Sequence, residues 1–299
     1  MNRSSFLLLS SALLSLALAG ADASAGSVLL DFETDPSVTG AFLTGSAEWR
    51  VTGGIGNSGY LKITDPVNGE RGAILFPDLD SGATVTAFSL TADLRVGGGT
   101  DLPADGFSFN LVRPDDPVLG DPIGEGWAAT PIGEGNVAEE GTTTGLAIGF
   151  DEWYSGGEDV VGMSVRIDNE LFYQIELPTL NGALDDITSL QTGPRGPGGP
   201  GDISELGWAR LAIDLSADNL LRIAYKNNLV FERTIAYAPG PGQLVIGGRT
   251  GGFNSTHHID NIAFSTTAPS VIPAPAALWL ALVGLAGLRW KRLSPNRSR

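Results

Sequence analysis

The sequence predicts an all-β fold, a jelly-roll sandwich of two antiparallel sheets. Three observations predict it. Short runs that alternate apolar with polar residues, or that are rich in β-branched ones, recur along the chain. They are punctuated by Gly, Pro, Asn and Asp, with 41 glycines and 18 prolines in 299 residues. No stretch between residues 26 and 268 carries a long helical period. At this length a hydrophobic content of 42% is enough to close a core. No linker-like stretch divides the runs, so one large sandwich fits better than two small ones.

The expected strands, in order, lie near Ser27–Thr34, Ala47–Thr52, Tyr60–Thr64, Arg71–Phe76, Thr84–Val96, Gly106–Val112 and Gly145–Trp153. They continue near Gly162–Asp168, Leu171–Leu177, Trp208–Leu215, Leu220–Asn227, Leu229–Ala236, Gln243–Gly247 and His258–Ser265. The clearest hairpin runs from Leu220 to Arg233, with Asn227-Asn228 expected in its two-residue turn because asparagine tolerates positive φ. Gly193-Pro-Arg-Gly-Pro-Gly-Gly-Pro-Gly201 scans as three collagen-like triplets, too few for a triple helix, and reads as a rigid solvated loop.

The two ends differ from the body. Lys and Arg total 18 against 34 Asp and Glu, a net charge of −16, yet Arg3 and the set Arg289, Lys291, Arg292, Arg297 and Arg299 lie outside the body. The body is therefore strongly acidic. With no basic cluster before residue 289, nucleic acid is excluded as a partner. Residues 1–25 read as a secretory signal: Arg3, an apolar stretch from Phe6 to Ala19, and small-x-small sites at Ala21-Asp22-Ala23 or Ala23-Ser24-Ala25. Residues 26–268 form the expected domain, and residues 269–299 a separate C-terminal signal.

That C-terminal segment opens on Pro273 and Pro275, runs through an apolar stretch to Leu288, and ends in Arg289-Trp-Lys-Arg292. From Ala276 to Trp290 a short hydrophobic helix would span about 22 Å, against the roughly 30 Å of a bilayer core. The basic cluster would stay on the cytoplasmic side and leave the acidic body outside. Ile272-Pro-Ala-Pro-Ala-Ala-Leu-Trp-Leu280 resembles the PEP-CTERM sorting signal of Gram-negative bacteria, in the variant written Val-Pro-Leu-Pro-Ala-Ala-Leu-Trp-Leu, with Ala274 in place of the first Leu. The resemblance implies transient insertion in the inner membrane, cleavage near the prolines by an exosortase-type sorting protease, and release to the cell surface or extracellular matrix. The alternative is a plain C-terminal transmembrane anchor.

Two internal segments carry a second resemblance. Pro103-Ala-Asp-Gly-Phe-Ser-Phe-Asn110 places an Ala-Asp-Gly ahead of an alternating strand. Gly145-Leu-Ala-Ile-Gly-Phe-Asp-Glu-Trp153 is followed by Glu158-Asp159 and Gly162-Met-Ser-Val-Arg-Ile-Asp168. Together with Asp31-Phe-Glu33, Arg249–Asn254 and Ile259–Ile262 at the two ends, they resemble the concanavalin A-like lectin/glucanase superfamily, legume-type and laminin-G-like domains included. The resemblance implies a concanavalin A-like jelly roll. It puts Asp105, beside Gly106, in the position of the sugar-binding Asp, and Asp151 in that of a strand-end calcium ligand. Gly149 stands where the manganese-binding Glu belongs and Val161 where the later His belongs, so a transition-metal site is not expected.

Calcium is the ion that these acids could hold: Asp151, Glu158 and Asp159 can bring hard oxygens together around the Ser155-Gly156-Gly157 turn. The alternative for these acids is a solvated loop in a chain acidic throughout, and for Asp105 it is ordinary Asp-Gly turn chemistry. Trp127, Trp153 and Tyr154 are the aromatics placed by loop context to stack on sugar rings, while Trp49 and Trp208 are expected in the core.

The residues argue against chemistry of other classes. The absence of cysteine excludes disulfides, thiolate zinc sites and thiol nucleophiles. Laminarinase-type hydrolases of the same superfamily carry Glu-x-Asp-x-x-Glu, and the aligned Gly149-Phe-Asp-Glu-Trp-Tyr154 has neither glutamate. Glu152 is no substitute, because it points to the opposite face from Asp151. His257 and His258 face opposite ways and are expected in a loop, not around a metal. Gly54-Ile-Gly-Asn-Ser-Gly59 matches a dinucleotide fingerprint, but a strand follows it where a helix is required, so no nucleotide is expected. The reading is a non-catalytic, secreted carbohydrate-binding module whose partner is an extracellular polysaccharide, with a structural matrix or coat protein as the competing class and a glycoside hydrolase as a third, less favoured reading.

Overall fold

A computed structural model describes residues 23–129, 135–157 and 159–269, and residues Ala23–Pro269 form one compact unit. The strands are β1 Ala23–Ser24, β2 Ser27–Leu30, β3 Phe42–Gly45, β4 Glu48–Arg50, β5 Tyr60–Thr64 and β6 Arg71–Leu75. They continue with β7 Ala87–Gly97, β8 Gly106–Val112, β9 Leu146–Asp151, β10 Gly162–Ile167 and β11 Glu170–Glu176. The last five are β12 Ala209–Leu215, β13 Leu220–Tyr225, β14 Asn228–Thr234, β15 Gln243–Arg249 and β16 Thr256–Pro269.

Two antiparallel sheets result. One runs β14-β13-β12-β7-β16-β5-β4, with β1 and β2 also paired to β16; the other runs β11-β10-β9-β8-β15-β6-β3. The expected two-sheet jelly roll is the observed architecture. Among the described residues the only helical turns are short 3-10 turns, and no helix is long and apolar enough to cross a membrane. The Pro273, Pro275, Arg289, Lys291 and Arg292 signal, the C-terminal helix and nearly all of the secretory segment lie outside the described residues.

Strand alternation decides which face each side chain takes. Leu90 and Leu94 of β7, Ile213 of β12 and Ile259 of β16 meet Phe107 and Phe109 of β8, Ile148 and Phe150 of β9 and Ile246 of β15 in the core between the sheets. Phe107 and Phe150 stack there at 4.8 Å. The seven-stranded sheet buries its outer face as well. Ala73, Val112 and Val245, each one residue out of step with the core set, pack against Val118, Trp127 and Ala138 from the connection between β8 and β9. That connection lies across the outer face, and Gly247 makes room for it: a β-carbon there would come within 2.2 Å of the Trp127 ring.

Several local expectations are corrected. The strand β3 and the two-residue β1 had no alternating signal, because each is too short to show a period. The β13–β14 turn is Lys226-Asn227, one residue earlier than expected, with φ of 51° and 60°. Lys226 takes the unfavourable conformation because its buried ammonium is held by four carbonyls, those of Ala183, Asp186, Ser189 and Gln191, at 2.9, 2.9, 3.0 and 2.6 Å.

His257 and His258 sit inside β16, buried to 1% exposure, and not in a loop. They do face opposite ways. His257 contacts Phe107 between the sheets, and His258 packs on Tyr60. Trp49 packs on the core as expected, but Trp208 is only half-buried and covers Arg95 at 4.5 Å. The Gly54–Gly59 segment is a turn whose Ile55 amide and Ser58 hydroxyl bind Asp260 Oδ2 at 2.9 and 3.1 Å, a structural use of the glycines.

Candidate functional site

The candidate site forms where β8 begins, β9 ends and β15 ends. Register pairs Gly106 with Asp151 and with Arg249, so three neighbouring strands deliver their terminal residues to one place. Asp105 is stitched between its neighbours by backbone bonds: its amide donates to the Arg249 carbonyl at 3.2 Å, and its carbonyl accepts from the Glu152 amide at 2.8 Å. The Ala104–Asp105 peptide is cis. Asp105 is 6% exposed, and its Oδ2 lies 3.2 Å from Arg249 Nη1. The 249–254 loop closes over it so tightly that a β-carbon on Gly251 would come within 2.9 Å of Oδ2.

Asp151 points to the outer face. Its Oδ1 accepts from the Trp153 amide at 2.8 Å, which bends the chain as it leaves the strand. The chain then folds back through Gly156 and Gly157, both at positive φ, and Asp159 Oδ2 accepts from the Ser155 amide at 2.6 Å. The turn thus brings Asp159 back beside Asp151.

Glu140, from the 3-10 turn Ala138–Glu140, is the third member: ligand oxygens of Glu140, Asp151 and Asp159 all lie within 4.8 Å of one another. Glu158 lies outside the described residues. Glu140 escaped sequence reasoning because it belongs to the β8–β9 connection, which reaches Asp151 only by lying across the sheet. The acidic pair Glu139-Glu140 was its one visible trace.

The electrostatics show a surplus of negative charge. Burial first, and then the charges of Glu139, Asp159 and Glu140, push the Asp151 carboxyl well above its ordinary value. Burial also raises Glu140, against the attraction of Arg166. Two guanidiniums offset part of the surplus. Arg166 pairs with Glu140, and Arg249 holds Glu139 through Nη2 and Nε, at 2.7 and 2.9 Å from Oε1.

Beneath the site, Glu152 turns inward as strand alternation requires. Its Oε2 meets His257 Nε2 at 2.8 Å, and His257 Nδ1 meets Thr64 Oγ1 at 2.8 Å. This buried chain ties the exit of β9 to β5 of the other sheet, and a carboxylate only 4% exposed needs such a partner. Adjacent residues of one strand end thus serve different layers, Asp151 at the outer face and Glu152 in the core.

The aromatic residues divide. Trp153 is half-buried and stacks on Phe253 at 4.8 Å, while Tyr154 is 58% exposed on the same loop. Trp127 is corrected: it is 3% exposed, its Nε1 donates to the Pro122 carbonyl at 2.9 Å, and it holds the β8–β9 connection to the sheet. Being buried, it offers no face to a ligand. Phe253 was not foreseen as an aromatic partner, although the loop that carries it was.

No family model matches the chain, and no curated protein sequence matches it. Solved structures do. The VIP36 exoplasmic/lumenal domain in its Ca2+/Man3GlcNAc-bound form aligns over 84% of this chain and 92% of that one, with 14% identity and a TM-score of 0.52. The lectin from Bauhinia forficata in complex with GalNAc aligns over 83% and 100%, with 18% identity and a TM-score of 0.52. The basic winged bean lectin with Tn-antigen aligns over 83% and 100%, with 14% identity and a TM-score of 0.54. The body therefore has the concanavalin A-like lectin fold that the Asp105 and Asp151 segments resemble; identities this low speak for the fold alone. Gly149 and Tyr154, which the sequence aligns with the two glutamates of laminarinase-type hydrolases, carry no carboxylate.

The residues present fit a calcium ion. Three convergent carboxylates are hard oxygen donors, no histidine or cysteine is among them, and Asp151 lies in a field too negative to ionise at its ordinary pH. Glu140, Asp151 and Asp159 would hold it, and a bound ion would supply positive charge that orders the 151–159 turn beside Asp105.

Proposed function

We propose that the protein is a non-catalytic carbohydrate-binding module whose site lies at the Asp105 end of the seven-stranded sheet. The observation that carries the reading is the convergence of Asp105, the Glu140–Asp151–Asp159 cluster and the Trp153–Phe253 stack on adjoining strand ends. Sugar recognition asks for this pairing of chemistries: carboxylate oxygens accept hydroxyl hydrogens while an aromatic ring covers the apolar sugar face. In this reading Asp105 and the Gly106 backbone meet the hydroxyls, Trp153 and Tyr154 line the rim, and calcium stiffens the loop between them.

The sugar-bound forms of the three named structures support the chemical class of ligand, and the acidic body with its Pro273-x-Pro275 tail and Arg289-Trp-Lys-Arg292 end supports delivery to the cell surface or matrix by an exosortase-type protease. Extracellular polysaccharide is the partner we assign. Intact-mass measurement of protein taken from the native cell surface tests the sorting reading. A mass ending near Pro275 is expected, and one that includes Arg289–Arg299 counts against processing.

A specific observation favours the second reading, a structural matrix protein: Asp105 already pairs with Arg249 and is almost fully buried. A glycan array run with calcium and with EDTA decides between them. Selective glycan binding that EDTA weakens supports the module. A folded protein that binds no glycan in either condition leaves the matrix reading.

A further inference from the structure

We propose that Arg166 is the resident counter-charge of the carboxylate cluster and sets which ion valence the cluster accepts. The inference rests on the calcium reading above and goes beyond it by assigning the residue that tunes the site.

Three observations carry it. First, strand register brings Arg166 to the cluster. β10 pairs Gly162 with Asp151, Ser164 with Gly149 and Arg166 with Ala147, so these residues share the outer face with Asp151. The facing residues Gly149 and Ala147 are small, and a β-carbon on Gly149 would come within 2.3 Å of the Glu139 carbonyl. The bare strand lets the 138–140 turn lie flat, which sets Glu140 against Arg166. Second, both partners are buried, with side-chain exposures of 7% for Arg166 and 9% for Glu140. Arg166 Nε has no acceptor among the described residues, so the guanidinium is held there by charge more than by a complete set of hydrogen bonds.

Third, the charges do not balance. Arg166 is paired with Glu140, a member of the cluster, whereas Arg249 is shared between Glu139 and Asp105, and among the described residues no ion pair reaches Asp151 or Asp159. The surplus is negative and suits a multivalent cation. Removing the Arg166 charge adds one more unit of negative charge, which attracts every cation more strongly and a trivalent one most, because the Coulomb term scales with the ion's charge.

Titration calorimetry of the intact protein with calcium and with terbium tests this. Arg166→Gln is expected to bind calcium about tenfold more tightly than wild type and terbium about thirtyfold more tightly, the logarithms scaling as two to three. A merely structural arginine would weaken both ions and leave their ratio unchanged. Arg166→Lys keeps the positive charge and is expected to leave the terbium-to-calcium ratio at its wild-type value. Arg166→Met keeps the apolar stem, removes the charge and is expected to show the same gains as Arg166→Gln, so it serves if Arg166→Gln does not fold. Calcium binding by wild type with no gain in the charge-removing variant, or an Arg166→Lys ratio shifted as in Arg166→Gln, overturns the assignment to Arg166 and leaves the calcium reading standing. Wild type that binds neither ion overturns both.

Discussion

Asp105 shows how much a single residue's meaning depends on its surroundings. In sequence it is the head of an Ala-Asp-Gly turn; in the structure its carboxylate is also a buried ion-pair partner of Arg249. Asp105→Asn keeps the shape but removes the charge and turns one acceptor into a donor. It should lower glycan affinity by about tenfold or more, roughly 1.4 kcal/mol, and also cost about 1–3 kcal/mol of stability through the weakened contact with Arg249. Affinities must therefore be compared at a temperature where both proteins are fully folded. Unchanged binding would remove Asp105 from the site.

His258 is a second residue whose role burial decides. Its Nδ1 faces Arg95 Nη2 at 2.9 Å, and arginine only donates, so the ring is neutral and its Nε2 proton goes to Asp65 Oδ1 at 2.9 Å. Burial lowers its pKa from 6.5 to about 4, while the hydrogen bond from the ring holds Asp65 at about 2. Both groups take up protons more readily when unfolded. Stability from His258 is thus complete above pH 6.5 and is lost as pH falls toward 4; the Asp65 contribution follows between 3.8 and about 2. The His258 contribution is on the order of 3 kcal/mol. Urea unfolding at pH 7 and pH 4 should show a smaller loss for His258→Gln than for wild type, a difference that cancels the opposite trend from Asp151 and Glu140. Equal losses would refute the assignment.

At the scale of elements, the loops between strands are held by buried polar groups more than by their own propensities. Lys226 is the clearest case: one ammonium in a two-residue turn gathers four carbonyls from the β11–β12 connection. Lys226→Met keeps the apolar stem and removes the donor, leaving four carbonyls to find water. We expect a loss of about 3 kcal/mol and faster amide exchange confined to residues 183–191. Exchange there at the wild-type rate would show that the connection is held by its other contacts.

The β8–β9 connection is anchored differently, by Trp127 seated over Gly247. Reading Trp127 as an exposed ring failed because loop context says nothing about a sheet whose second face is also covered.

For the whole molecule, the outer face of the seven-stranded sheet and the core between the sheets are joined at the candidate site through Asp151 and Glu152. A cation that neutralises the cluster binds the native state alone, because the three carboxylates are together only when the β8–β9 connection is docked. Calcium at a hundredfold excess over its Kd should add about 2.7 kcal/mol and raise the melting temperature by several degrees. Asp151→Asn should abolish that rise. Samples in calcium and in EDTA that melt together would mean that the cluster holds no calcium.

Local pattern by itself determined the sandwich and much of one edge of the site. Period-two alternation in Phe107–Leu111 and Leu146–Phe150 assigns the core, and it also forces Asp151 and Glu152 onto opposite faces. The Ser155-Gly156-Gly157 turn between Asp151 and Asp159 is likewise a local device, readable from glycines and an acid at short range. Only the tertiary structure decided that Glu140 completes the cluster, that Arg166 and Arg249 balance it, and that His257 and His258 are core residues. Each of these depends on contacts between different segments of the fold, as far as 105 residues apart in the chain for His257 and Glu152. Charge pairing and burial are properties of the folded surface, and sequence periodicity carries no information about which distant segment will cover a given face.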